Sequence, residues 1–230
     1  MSHRKLFDPL AVALVGALGT ITASALHAKP IAFADGTTTM HERNTNMLET
    51  QAFYAPTYWW SAGPGYLRLT SDDKQKEREI SYVQANALIK RWNMPAAQAN
   101  LFAYGGVGSA KSSENAGRSV TTDTVWRYGL QGDYETRKVY TSLKMDGYKS
   151  AVFSHRISTL QLGVAPYEHD YEDLATWFVL QLRHYTGGIR DVNANKIEQT
   201  ALIRLFKGPV WVELGINRER HTQFMIMTNF

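Results

Sequence analysis

Hydrophobic and polar residues alternate along most of the chain with a period of two, the spacing of a strand that shows a different environment to each face. Trp126, Tyr128, Leu130, Gly132 and Tyr134 share one face, against Arg127, Gln131, Asp133 and Glu135 on the other. Phe178, Leu180 and Leu182 oppose Gln181 and Arg183; Ala201, Ile203 and Leu205 oppose Arg204; Val210, Val212, Leu214 and Ile216 oppose Glu213 and Asn217. The pattern predicts strands at Tyr58 to Thr70, Glu77 to Trp92, Ala97 to Ser109, Thr124 to Thr136 and Lys138 to Asp146. It continues at His155 to Pro166, Ala175 to Tyr185, Gln199 to Phe206, Val210 to Arg218 and Gln223 to Phe230. Val83 to Lys90 also satisfies helix propensity, but it lies inside an alternating run. The polar stretch from 29 to 50 shows no alternation and reads as an N-terminal extension ahead of a domain at 51–230.

The links between these strands alternate in length. SDDKQK, AKSSENAGRSVTT and TGGIRDVNANK are long and rich in Gly, Ser, Asn and charge, whereas NMPA, TRK and KGP are short, with YEHDYEDL the exception. A membrane-spanning antiparallel barrel has this asymmetry, with an even strand number and both termini at the short-turn end. The expected fold is therefore all-β, an up-and-down barrel of about ten strands, eight or twelve also fitting. It would close by pairing Gln223 to Phe230 with Val210 to Arg218 and with the first strand near Tyr58 to Thr70. Alternation alone does not say whether the apolar face points inward, as in a soluble periplasmic barrel, or outward into lipid.

Aromatic placement favours lipid. Trp59, Trp60, Trp92, Phe102, Tyr134, Tyr140, Tyr167, Trp177, Phe206, Trp211 and Phe230 gather at the short-turn end, as in an interfacial girdle, although parity turns Tyr140, Trp177 and Trp211 inward. The N-terminus agrees. His3, Arg4 and Lys5 precede an apolar run from Leu10 to Ala25 that ends in small residues, the layout of a secretory signal peptide over 1–28. The run is short for a spanning helix, which needs about 20 residues. With no cysteine, an exported chain of this size must be held by a core or a continuous sheet. Its net charge of +4 comes from bases interleaved with acids, which gives no nucleic-acid footprint.

The ending QFMIMTNF, with Phe224, Ile226, Thr228 and Phe230 at alternate positions, resembles the terminal-strand signal of Gram-negative outer-membrane β-barrel proteins. That resemblance implies an outer-membrane location, contact with outer-membrane lipid, and recognition of the four residues by the barrel-assembly machinery. TYWWSAGPGYLRLTSDD and APYEHDYEDLATWFVLQLRHYTGG are similar to stretches of exported proteobacterial proteins, a resemblance that implies no activity.

Candidate chemistry is sparse. Inward parity assigns Arg68, Lys90, Arg127, Asp133, Glu135, Lys144, Arg183, Arg204 and Glu213 to the lumen. Paired across a narrow barrel, such charges would fill it, because an unpaired charge in a low-dielectric space is costly. This favours a structural, binding or small-solute role over an open pore. An outer-membrane hydrolase acting on lipid or peptide is the alternative. Ser154, His155 and Ser158 invite comparison with lipid A deacylases, but the two serines share a parity that His155 does not, and no orienting acid is evident. Asp191 and His221, the residues nearest to an omptin-like pairing, merely lie in external loops. Met40, His41 and Met47, and the cluster Glu168, His169, Asp170, Glu172 and Asp173, are donor types for soft and hard metals respectively, without a defined ligand spacing. No metal or cofactor is expected.

Overall fold

The computed structural model describes residues 29–31, 33–115, 117–168, 173–187 and 197–230. The expected signal peptide at 1–28 lies outside them. Twelve antiparallel strands close into one barrel. They are β1 (Gly36–Arg43), β2 (Met47–Thr57), β3 (Trp60–Thr70), β4 (Glu77–Met94), β5 (Ala97–Glu114) and β6 (Ser119–Thr136). The second half is β7 (Val139–Lys149), β8 (Ser154–Val164), β9 (Ala175–Thr186), β10 (Glu198–Lys207), β11 (Val210–Asn217) and β12 (Thr222–Asn229).

The ten strands expected from alternation appear as β3 to β12, and Val83 to Lys90 lies wholly in β4. Two more come from the segment taken as an extension: residues 36–50 supply β1 and the start of β2. Their alternation is hidden because side chains on both faces are mixed. β1 turns Thr37, Thr39, His41 and Arg43 one way and Thr38, Met40 and Glu42 the other. Closure is consequently β12 onto β1, not onto the strand near Tyr58 to Thr70. Backbone bonds join Thr37 and Phe230 in both directions, at 2.6 and 2.9 Å, and the Thr38 hydroxyl donates to the Asn229 amide oxygen at 2.8 Å.

One rim carries two-residue links at 58–59, 95–96, 137–138 and 208–209, with both ends of the barrel sheet beside them. The other carries the links 44–46, 71–76, 115–118, 150–153, 187–197 and 218–221. The 165–174 link remains the exception on the short side. In the 207–210 turn, Gly208 takes φ +54° just before Pro209, a left-handed conformation that favours glycine.

The apolar face points outward. Trp126, Tyr128, Leu130, Phe178, Leu180, Ile203, Leu214 and Ile216 are exposed, while their polar neighbours Arg127, Gln131, Gln181, Arg204 and Glu213 are buried inside. Trp59, Trp92, Tyr134, Tyr167 and Phe230 form an outward ring near the short-link rim. Phe102 and Phe206 join Tyr140, Trp177 and Trp211 in facing inward, so the girdle has fewer members than the sequence suggested.

Candidate functional site

Twelve strands make a barrel wider than the eight-stranded kind that ordinary side chains fill. Long side chains occupy the extra width here. The largest fully buried ones include Trp177, Trp211, Arg127, Arg204 and Tyr148. Apolar clusters stand at both ends of the lumen. Toward the long-link rim Met47, Leu67, Leu69, Ile80, Phe153 and Ile157 pack together. Toward the short-link rim one group gathers Trp177, Val179, Leu202, Phe206, Trp211, Met225 and Met227, and another gathers Ile31, Ala55 and Phe102.

Between these clusters lies a charge network built around Arg127. Its Nη2 meets Glu49 Oε1 at 3.1 Å and Asp146 Oδ1 at 2.9 Å, and its Nη1 donates to the Tyr82 hydroxyl. The rings of Tyr82, Tyr104 and Tyr148 surround the guanidinium, with centroids at 4.5, 5.5 and 5.3 Å. Gln51 donates to Glu49 at 2.8 Å, the Tyr104 hydroxyl donates to Asp146 at 2.8 Å, and Lys144 Nζ lies 3.4 Å from Asp146. Two glycines make the arrangement possible. A Cβ at Gly65 would fall 2.3 Å from the Tyr82 ring, and one at Gly129 would fall 2.5 Å from the Tyr104 ring. Without side chains there, both tyrosines lie against the wall and direct their hydroxyls at the network.

Three further pairs complete the filling. Arg204 is wholly buried and forks onto Glu213, with Nε and Nη2 at 2.7 and 2.6 Å from Oε1, while Gln161 accepts from Nη2 at 2.8 Å. Arg183 Nη2 contacts Glu42 at 2.6 Å, and its Nε donates to the Thr159 hydroxyl at 3.2 Å. Near the short-link rim Lys29 Nζ lies 2.9 Å from Glu135 and 3.8 Å from Asp133. The neighbouring Pro30 carbonyl accepts from the Ser61 hydroxyl at 2.8 Å, and Ile31 is buried beside Phe102. The chain at 29–31 thus sits inside the barrel mouth. Between these pairs lies a cavity of about 110 Å³, room for a few water molecules, lined by Glu42, Glu49, Lys144, Asp146, Met225 and Met227 among others.

Of the nine residues assigned to the lumen by parity, Arg127, Asp133, Glu135, Lys144, Arg183, Arg204 and Glu213 face it. Arg68 and Lys90 face outward. On β3 the inward positions are Leu67 and Leu69, so Arg68 sits on the outer face opposite Leu48. On β4 a bulge between Leu88 and Lys90 shifts parity: Lys90 pairs with outward Leu101, and Arg91 turns inward to donate to Asn100 at 2.7 Å. Glu42 and Glu49 escaped the sequence reading because β1 and β2 did. Asp146 and Lys29 escaped it too, although Asp146 shares parity with Lys144 two positions before it.

The remaining candidates do not assemble. His155 is buried, stacked on Phe153 at 4.7 Å, whereas Ser154 and Ser158 face the other way. Asp191 lies outside the described residues, and His221 Nδ1 is 3.8 Å from Glu219. Met40 and Met47 point into the lumen but His41 points out, bonded through Nδ1 to the Thr50 hydroxyl at 2.8 Å. His169, Asp170 and Glu172 lie outside the described residues, and Glu168 faces Lys138 at 3.4 Å. Among the described residues no group of three or more His, Asp or Glu side chains is placed to hold a metal. Phe224, Ile226, Thr228 and Phe230 share the outward face of the closing strand, with Met225, Met227 and Asn229 inward.

No protein-family model and no curated protein sequence matches the chain. Among solved structures it is similar to a KdgM porin, at 11% identity and a TM-score of 0.44, over 85% of this chain and 98% of that one. It is also similar to a loop-deletion form of OmpT, an outer membrane protein of Vibrio cholerae, at 9% identity and a TM-score of 0.29, over 85% of this chain and 97% of that one.

Proposed function

We propose that the chain is an outer-membrane β-barrel whose filled lumen gives it a structural or binding role, or one toward a small solute, and not that of an open pore. The observation that carries this reading is the inverted distribution of polarity. The barrel wall turns Trp, Leu, Ile and Phe outward on a continuous sheet and keeps Arg127, Arg183 and Arg204 paired within. In water such a wall would be an aggregation hazard; in hydrocarbon it is the required arrangement, since closure leaves no sheet edge unpaired. The outward ring of aromatics at the rim beside both ends of the sheet supports that rim as the periplasmic one. The alternate side chains Phe224, Ile226, Thr228 and Phe230 support recognition of β12 by the barrel-assembly machinery. A soluble periplasmic barrel would need the opposite polarity. A hydrolase of the lipid A deacylase kind would need Ser154 or Ser158 on the same face as His155, which β8 does not offer.

Cell fractionation followed by electrophoresis of unboiled and boiled samples tests the reading. The expected result is a compact, heat-modifiable band in the detergent-extracted outer membrane. Recovery in the soluble periplasmic fraction would overturn it.

A further inference from the structure

The outward wall is apolar over most of its area, and β1 departs from that pattern. All four outward residues of β1, Thr37, Thr39, His41 and Arg43, are polar. The register sets Arg43, Leu48 and Arg68 in one row across β1, β2 and β3, with His41, Thr50 and Tyr66 in the next. Strands stand about 4.8 Å apart, so the Arg43 and Arg68 backbones are about 10 Å apart with Leu48 between them, a gap that two arginine side chains can bracket. Both belong to the long-link rim: Arg43 ends β1, and Arg68 is two residues from the end of β3.

Among the described residues neither arginine is in an ion pair. The carboxylate opposite Arg68 is Glu79, which already accepts from the Tyr66 hydroxyl at 3.2 Å and faces Lys111 Nζ at 3.8 Å. The Nδ1 bond of His41 to Thr50 leaves the other ring nitrogen turned away from that partner. Two guanidinium groups at the hydrocarbon edge need anionic partners, and a lipid phosphate matches the planar fork of arginine.

We propose that Arg43 and Arg68, with His41 beside them, form a binding site on the outer wall for the phosphate of a lipid headgroup in the outward leaflet, with Leu48 under the first acyl carbons. The inference rests on the membrane-spanning reading given above.

The test reconstitutes the whole barrel in phosphatidylcholine vesicles, with phosphatidic acid added to the bilayer or inorganic phosphate added to the buffer. The readouts are the temperature at which the compact band is lost and the lipid retained in native mass spectrometry. Phosphatidic acid should raise that temperature and be retained, while inorganic phosphate alone should do neither. The double variant Arg43→Gln/Arg68→Gln should lose retention by about tenfold or more, the scale of a lost charge-assisted hydrogen bond. Arg156→Gln, an outward base on β8 across the barrel, should retain lipid like the parent. Unchanged retention in the double variant, an equal loss in Arg156→Gln, or full stabilisation by inorganic phosphate would each overturn the site. Absence of a compact band in every vesicle would instead count against the barrel reading itself.

Discussion

Arg204 shows how a single charge can be kept inside a barrel. It lies between the Tyr140 and Trp211 rings, 4.5 and 4.3 Å from their centroids, and its fork closes on Glu213, which also accepts from the Trp211 indole at 3.1 Å. Lysine could not copy this: it lacks the flat surface for stacking and the paired donors. Burying the pair gives little net stability, but separating it is expensive, because the survivor keeps its desolvation cost with nothing opposite. Glu213→Leu is therefore expected to destabilise the folded barrel by about 3 to 5 kcal/mol in urea titrations in lipid vesicles. Arg204→Leu/Glu213→Leu should recover most of that loss, since no charge is then left uncompensated. A Glu213→Leu barrel as stable as the parent would mean that Arg204 is solvated by lumen water and that the pair does not support the fill.

At the scale of elements, β1 decides closure. Each of its interior residues pairs on one side with β2 and on the other with β12, so every backbone N–H has a partner in the sheet. Thr39→Pro removes one such donor and breaks the ladder at the seam where the barrel closes. The expected outcome is a chain that is made but yields no compact band in unboiled samples, whereas Thr45→Pro, in the 44–46 link, should still yield one. Equal folding of the two variants would show that β1 is not needed to close the barrel. The same strand explains what the sequence could tell. β6, β9, β10 and β11 were legible because an apolar outer wall and a polar lumen impose contrasting residues at every step. β1 was not, since polar side chains occupy both of its faces. Arg68 and Lys90 were misplaced for local reasons that single-strand parity cannot capture. β3 turns leucines inward where the lumen itself becomes apolar, and β4 inserts a bulged residue. The partners of Arg127 come from β2, β4 and β7, so the network existed in the sequence only as separate residues on strands whose register was not yet known.

For the whole molecule, the question is whether a twelve-stranded barrel conducts. Width alone would permit it, because the diameter grows with strand number and only the narrowest barrels must be solid. Three features of the interior oppose conduction. Apolar clusters bound the lumen toward each rim, so an ion would have to shed its water before reaching any charge. The charges that follow are matched: Arg127 with Glu49 and Asp146, Arg183 with Glu42, Arg204 with Glu213, and Lys29 with Glu135. A passing ion therefore meets no row of like charge to follow. The residues 29–31 occupy the mouth beside Phe102, and the cavity between the charge pairs holds only about 110 Å³, room for a few waters. In planar bilayers the purified barrel is accordingly expected to insert without stable conductance steps at moderate voltage. Glu135→Gln, which loosens the hold on Lys29 but leaves the apolar clusters and the other pairs in place, should remain silent as well. Sustained steps on the nanosiemens scale from the parent would mean that the interior side chains part in the membrane, and the filled-lumen reading would give way to that of a pore.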